Sequence, residues 1–337
     1  MLNQSKNVSE IFLSIAMITY HQENYIRQAL DSILMQNVNF KYEIIIGEDC
    51  SLDNTRKILL EYHEKYPNKF QLILRDKNVG ATRNLYDVLM NCHGKYIALL
   101  DGDDFWTDSN KLQLQVDFLE KHDEYTGVSH DFEYVNKKGE HTSMSNEKGS
   151  DVAQEFTMND FIKWEWPIQT ATLMFRNFFI NNKDEDFSII YTAHNLMADR
   201  TLAMLILKKS KIFIIRKVMS AYRYILEENG TNYTSKFEMP TQRKKKVEIT
   251  IRYINMLEKY LKSCSNYNFE LIKFQYVCEM IIITIKCHTF DSVKDLIEIL
   301  RLVSIKIKLL SFSHILRIIA TFPARKIKLY MFNSKEL

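Results

Sequence analysis

Tyr96-Ile97-Ala98-Leu99-Leu100-Asp101-Gly102-Asp103-Asp104-Phe105-Trp106 runs an apolar segment directly into three carboxylates within four residues. An apolar run bounded in this way reads as a buried strand. Carboxylates crowded at its C-terminal end repel one another unless a cation sits among them, and a hard divalent metal suits oxygen ligands of this kind. Open α/β sheets bind ligands just beyond the carboxyl ends of their strands, so the place of the cluster suits a site as well as its composition does.

A calcium EF-hand is excluded by spacing, since it needs oxygen ligands at alternate positions and glycine at the sixth, where this chain has Phe105 and Trp106. The plainer alternative is an acidic turn that caps a helix starting near Ser109, because Asp favours caps and turns.

Working outward, short β-branched apolar runs alternate with amphipathic stretches. Segments 12–18, 42–47, 70–74 and 96–101 are expected strands; 25–36, 54–66, 81–92 and 110–121 are expected helices. This alternation predicts an α/β fold with a mixed, mostly parallel sheet flanked by helices. Residues 135–151 read as a surface loop. A short helix at 158–164, a strand at 170–175, a helix at 199–209 and strands at 212–215 and 219–222 follow. Beyond Pro240 the pattern becomes long helical stretches at 243–262, 269–287, 292–308 and 313–321, an all-α appendage. The expected division is 1–235 and 236–337.

With 337 residues and 46% apolar content the chain can build a substantial core. Its net charge of +3 gives no footprint for nucleic acid, and none is expected as a partner. Charge is uneven, however: residues 301–337 hold eight Lys or Arg and one acid, Glu336. The five cysteines, Cys50, Cys92, Cys264, Cys278 and Cys287, show no C-x-x-C spacing, which argues against a disulfide framework and a zinc site. No signal peptide or spanning helix is apparent in the sequence, and a cytoplasmic protein is expected.

The loops after the first three strands carry polar side chains. Thr19-Tyr20-His21-Gln22-Glu23 follows the first strand and Glu48-Asp49-Cys50-Ser51-Leu52-Asp53-Asn54-Thr55 the second. Asp49 is suited to accept hydrogen bonds from a ligand, whereas Asp53 better suits capping of the next helix. In Asn78-Val79-Gly80-Ala81-Thr82-Arg83-Asn84, Gly80 permits a tight turn, and Arg83 is either a phosphate ligand near a helix N-terminus or a surface residue.

These motifs, with Leu100-Asp101-Gly102-Asp103-Asp104, Trp106 and Lys111-Leu112, stand in the order and spacing of family 2 glycosyltransferases, and the chain resembles that family over about residues 11–225. The likeness is strongest to bacterial enzymes that build capsular or other surface polysaccharide. The resemblance implies a GT-A fold, inversion at the anomeric carbon, a nucleoside-diphosphate sugar donor, expected to be UDP-linked, and Mg²⁺ or Mn²⁺. Residue by residue, it implies Asp103 as metal ligand of the D-x-D motif, and Thr19, Tyr20, Glu23, Asp49, Asn78, Arg83, Asp101, Gly102 and Arg223 as the donor-binding set. Met197-Ala198-Asp199-Arg200 matches the segment that supplies the base in the family, so Asp199 is the expected catalytic residue; by position alone it reads as a helix cap. Trp166 is placed on the acceptor side, against the alternative of a core tryptophan.

Two positions depart from the family pattern. Ala198 stands where Glu is usual, and Ile225 where many relatives carry a His near the diphosphate or metal. The tail interleaves Lys and Arg with Ile, Leu and Phe, which suits peripheral contact with an anionic membrane at its inner face, a soluble helical cap, or an oligomer interface. The function expected is transfer of a hexosyl or N-acetylhexosaminyl group to a hydroxyl of a growing, lipid-linked glycan. The alternatives are a nucleotide-sugar-binding module without catalysis and a helical interaction protein acting through its basic tail.

Overall fold

The structure is a computed structural model that describes residues 11–144, 154–180, 182, 185–225, 243–261, 267–287 and 290–321. The chain separates into two compact units, one of residues 1–161 and 166–225, the other of 162–165 and 226–337. The boundary expected at residue 235 lies outside the described residues.

The first unit opens with β1 (Leu13–Thr19), α1 (Ile26–Leu34), β2 (Tyr42–Glu48), α2 (Thr55–Lys65), β3 (Phe70–Leu74), α3 (Ala81–Met90) and β4 (Tyr96–Asp101). β1 pairs in parallel with both β2 and β4, and β2 with β3. These are the strands read from the sequence, within a residue or so at each end. Helix α1 shows why the alternation folds this way. Ile26, Ala29, Leu30 and Ile33 recur at helical spacing and are all buried, giving one apolar stripe against the sheet.

The second half of the unit departs more from expectation. β5 (Phe105–Trp106) and α4 (Lys111–Lys121) lead to β6 (Tyr125–Val135), an eleven-residue strand that the sequence reading left out. β7 (Glu155–Phe156), α5 (Met158–Ile162), a 3-10 turn at Thr170–Thr172 and β8 (Met174–Arg176) follow. The strand expected over 170–175 is thus a turn and then a short strand. Its break comes from Gln169, whose side chain accepts from the Ala171 amide at 2.7 Å and winds the backbone into the turn. After α6 (Ile189–Thr192) and α7 (Ala198–Lys209), the two expected strands merge into one, β9 (Lys211–Arg223).

The nine strands form one sheet in the order β3-β2-β1-β4-β8-β6-β9-β5, with β7 also on β9. β8 runs antiparallel to β4 and β6, while β6 and β9 are parallel. A core on one face of the sheet takes in Leu13, Ile15, Ile44, Ile46, Ala98, Leu100, Trp106 and Leu112.

The second unit is helical, as expected. It contains α8 (Arg243–Leu261), α9 (Glu270–Cys287), α10 (Phe290–Arg301) and α11 (Ile305–Thr321). Val247, Ile251, Val277, Met280, Ile281, Ile299 and Ile307 form its core. The break between the last two helices falls at 302–304 rather than at the expected 309–312.

Gly94 sits at the entry to β4, with its amide donating to Ser14 Oγ at 2.8 Å. A Cβ there would lie 2.5 Å from the Ser14 nitrogen and 2.6 Å from the Leu13 carbonyl carbon, and backbone cannot rotate away as a side chain can. We expect Gly94→Ala to lower stability by about 2 kcal/mol or more, measured as a shift in the urea midpoint, the range of overpacked sites.

Candidate active site

Parallel pairing sets Thr19 opposite Glu48 and Ile18 opposite Asp101, so the C-terminal ends of β1, β2 and β4 finish level. The loops beyond them are laced together. The Gln22 amide donates to Thr55 Oγ1 at 2.8 Å and the Glu23 amide to Asp53 at 3.1 Å, while Glu23 accepts from both the backbone and the side chain of Asn54, at 2.9 and 2.7 Å. Asp53 also accepts from the Thr55 amide at 3.0 Å, the capping role preferred for it. His21 (φ 54°) and Cys50 (φ 62°) both adopt left-handed backbone in these two loops. Such strain in non-glycine residues gathers where a loop must hold a set shape.

Asp49 turns inward. Its two carboxylate oxygens accept the amides of Val79 and Gly80 at 2.7 and 2.9 Å, and its carbonyl accepts Asn78 Nδ2 at 3.2 Å. Asp49 and Asn78 therefore shape the rim. Arg83 lies on that rim, paired with Asp87 at 3.0 Å and 4.6 Å from the Tyr191 ring centre. Tyr20 is 36% exposed and stacks on His21.

At the centre, Asp101 and Asp103 keep part of their surface open while Asp104 is buried. Asp104 accepts from the Arg223 amide at 2.8 Å and from Gln169 Nε2 at 2.6 Å, which fixes the acidic turn to β9 on one side and to the 3-10 turn on the other. Gly102 permits this turn to close on β1, because a Cβ would meet Gln22 Oε1 at 2.3 Å and Thr19 Oγ1 at 2.9 Å. Those two oxygens are themselves buried without a hydrogen-bond partner.

The carboxyls hold their protons unusually tightly. Burial, then the charges of Asp103 and Asp199, push Asp101 up to about 7, against a hydrogen bond from Thr170. Burial likewise raises Asp103, opposed by Arg223 and by a hydrogen bond from Gln22, and raises Asp104 well above the ordinary range. Asp199, in the first turn of α7, is also raised by burial, with the neighbouring Arg200 charge acting against it. Its charge acts on Asp101, 98 positions away in the sequence.

Arg223 and Trp166 both have partners within the protein. Arg223 is 3% exposed, and its guanidinium braces the acidic turn. Its Nε donates to the Asp103 carbonyl at 2.8 Å, one terminal nitrogen to the carbonyls of Asn136 and Lys137 at 3.0 Å each, and the other to Gln28 at 2.8 Å. What it supplies to the site is charge. Trp166 has the Arg200 guanidinium 4.5 Å from its ring centre, so that face is not open for stacking on a sugar.

Gln22, Gln169 and Thr170 were missing from the sequence reading. The three-residue spacing of Gln169 and Thr172, which form a reciprocal cap, was the signal available. Among the described residues, no three His, Cys, Asp or Glu side chains gather closely enough to hold a metal by themselves. The oxygens of Asp103 and Asp101, beside those of Thr19 and Gln22, fit a hard cation whose remaining positions come from a ligand and water, the habit of Mg²⁺ in particular.

Because Asp101 binds its proton more tightly folded than unfolded, it stabilises the fold below about pH 4 and loses that contribution as pH rises through about 7. Asp101→Asn is therefore expected to gain thermal stability relative to wild type between pH 4.5 and 7.5; a constant difference would contradict the assignment.

The sequence profile described as Glycosyl transferase family 2 matches residues 14–185, just over half of the chain. An uncharacterized protein of Mycobacterium tuberculosis is 37% identical over 179 residues, 53% of this chain and 46% of that protein. The putative teichuronic acid biosynthesis glycosyltransferase TuaG of Bacillus subtilis is 35% identical over 107 residues, 32% of this chain and 41% of TuaG. The Escherichia coli UDP-Glc:alpha-D-GlcNAc-diphosphoundecaprenol beta-1,3-glucosyltransferase WfgD is 31% identical over 114 residues, 34% of this chain and 43% of WfgD. The chain thus spans less than half the length of these relatives. In structure it is similar to Staphylococcus aureus TarS 1-349 in complex with UDP-GlcNAc, with TM-score 0.53 and 19% identity over 79% of this chain and 71% of that one, a likeness of fold. Profile, acidic turn and sheet agree, and the chain belongs to glycosyl transferase family 2.

Proposed function

We propose that the chain is an inverting glycosyltransferase that moves a sugar from a nucleotide sugar, UDP-linked, to a hydroxyl of a growing, lipid-linked surface polysaccharide. The observation that carries this reading is the acidic turn Asp101–Asp104 at the level C-terminal ends of β1, β2 and β4, anchored through Asp104 to Arg223 and Gln169, with Asp199 close enough for its charge to act on Asp101. A donor-side acidic turn and an acceptor-side carboxylate then face one cleft. UDP as the nucleotide draws support from WfgD, a UDP-Glc glucosyltransferase, and from the complex of TarS with UDP-GlcNAc, and the lipid-linked acceptor from the diphosphoundecaprenol of WfgD.

In this reading Thr19, Glu23 and the rim held by Asp49 and Asn78 receive the nucleoside, and Asp101 with Gly102 lies against the sugar or ribose. Asp103 would hold Mn²⁺ or Mg²⁺ were one bound with the donor. The bound cation would neutralise charge that develops on the leaving diphosphate. Arg223 adds a fixed positive charge behind the acidic turn. Asp199 removes the proton from the attacking hydroxyl, and its raised affinity for protons suits a group that must accept one. The Arg200 charge favours the ionised form of that carboxylate against burial.

Ala198 and Ile225 motivate the rival reading, a nucleotide-sugar-binding module without catalysis. Two measurements separate them. Calorimetry is expected to show Mn²⁺-dependent binding of UDP, with GDP and TDP as weaker controls, lost in Asp103→Ala; no nucleotide binding at all would sink both readings. Asp199→Asn should keep UDP affinity within about twofold while donor turnover falls by roughly 10² to 10⁴, the usual worth of a general base. Turnover unchanged in Asp199→Asn would remove that residue from the mechanism, and no turnover even in the wild type would favour the binding module.

A further inference from the structure

Helix α11 has an inverted outer face. Its buried side is formed by Ile307 and Ser311, at 3% and 0% exposure, and the opposite side should be polar if it meets only water. Instead Ile305, Leu309, Phe312 and Leu316 are 72%, 67%, 42% and 66% exposed. Their spacing of four, three and four residues sets them within about 60° of arc on an α-helix. Lys306 and Lys308 fall on the two shoulders of this stripe, roughly 70–90° to either side. Lys306 makes an exposed ion pair with Glu270 at 3.0 Å, of the kind that contributes little in water. On α10, Val293 and Ile297 add exposed apolar surface at i, i+4 spacing.

We propose that this face of α11 is an interfacial surface for an anionic lipid bilayer, with the apolar stripe entering the acyl boundary and the lysines meeting headgroups. Three observations select lipid as the occupant. The stripe has cationic shoulders whose stems can lie along apolar surface while their ammonium groups reach outward. The sequence from 302 to 335 contains seven Lys or Arg and no acid, so its charge complements an anionic plane. A second copy packed in parallel about a twofold axis would instead set Lys306 of one copy beside Lys308 of the other. Among the described residues, no helix is long and apolar enough to cross a membrane. The proposal is independent of the catalytic reading, since it needs neither donor nor acceptor.

The test is co-sedimentation of the full chain with vesicles of equal parts phosphatidylglycerol and phosphatidylcholine, and with phosphatidylcholine alone. Wild type is expected to sediment with the anionic vesicles only. Each basic residue near such a surface is worth roughly fivefold in partitioning, so Lys306→Glu with Lys308→Glu should reduce it at least tenfold. Leu309→Asn with Leu316→Asn should do the same. Phe312→Trp supplies a second readout, a blue shift of fluorescence on adding anionic vesicles, should the double variants fold poorly. Absence of wild-type binding, equal binding by the variants, or a change in vesicle-free oligomeric state in the leucine variant would each overturn the proposal.

Discussion

Repulsion among Asp101, Asp103 and Asp104 is the constraint around which the first unit is arranged. Three carboxyls at the mouth of a buried strand would splay or distort the turn unless something held them, and burial makes their charged forms costlier still. The structure meets this by dividing their duties. Asp104 faces inward to a backbone amide and an amide side chain, while Asp101 and Asp103 remain at the surface. Arg223 then closes the back of the turn, bridging the acidic loop, the loop after β6 and α1 with one buried guanidinium. Removing either anchor would release the aspartates that face the cleft, so long strands far from the chemistry serve to hold a four-residue turn still.

The sequence was legible where patterning was unbroken. β1, β2 and β4 are largely apolar and buried along most of their length, β3 is a short apolar edge run, and α1 to α4 carry stripes at helical spacing, so period alone identified them. β6 was missed because Ser129, His130 and Asp131 interrupt its apolar pattern. Two of those polar residues are in fact fully buried, with Ser129 bonded to Thr172 at 2.6 Å. That partner lies 43 residues away, and no local signal announces it. β9 looked like two strands because Arg216 and Lys217 sit in its middle; Arg216 pairs with Asp131 across the sheet at 2.9 Å, and the strand continues.

The site was readable in its residue types more than in its division of labour. Carboxylates and glycines at strand ends pointed to the right loops. Which of them face a ligand and which face the protein depends on partners from other elements. Asp49 and Arg223 look like ligand-facing residues in a motif, yet their polar atoms are used to build loops. Gln22 and Gln169 look like ordinary polar residues, yet they touch the acidic turn. Charge was thus overvalued as a sign of ligand contact, and neutral amides were undervalued.

Lys111 follows from the same packing. Its amine is fully buried without a hydrogen-bond partner, 4.0 Å from the Trp106 ring centre, and burial holds it well below the ordinary lysine range. An amine of that kind gives up its proton more readily than an exposed lysine, yet it is buried beside the Trp106 ring. Toward acylating reagents it will behave as a silent clock: untouched in the native state, and labelled at the rate at which the interior beneath the acidic turn comes open.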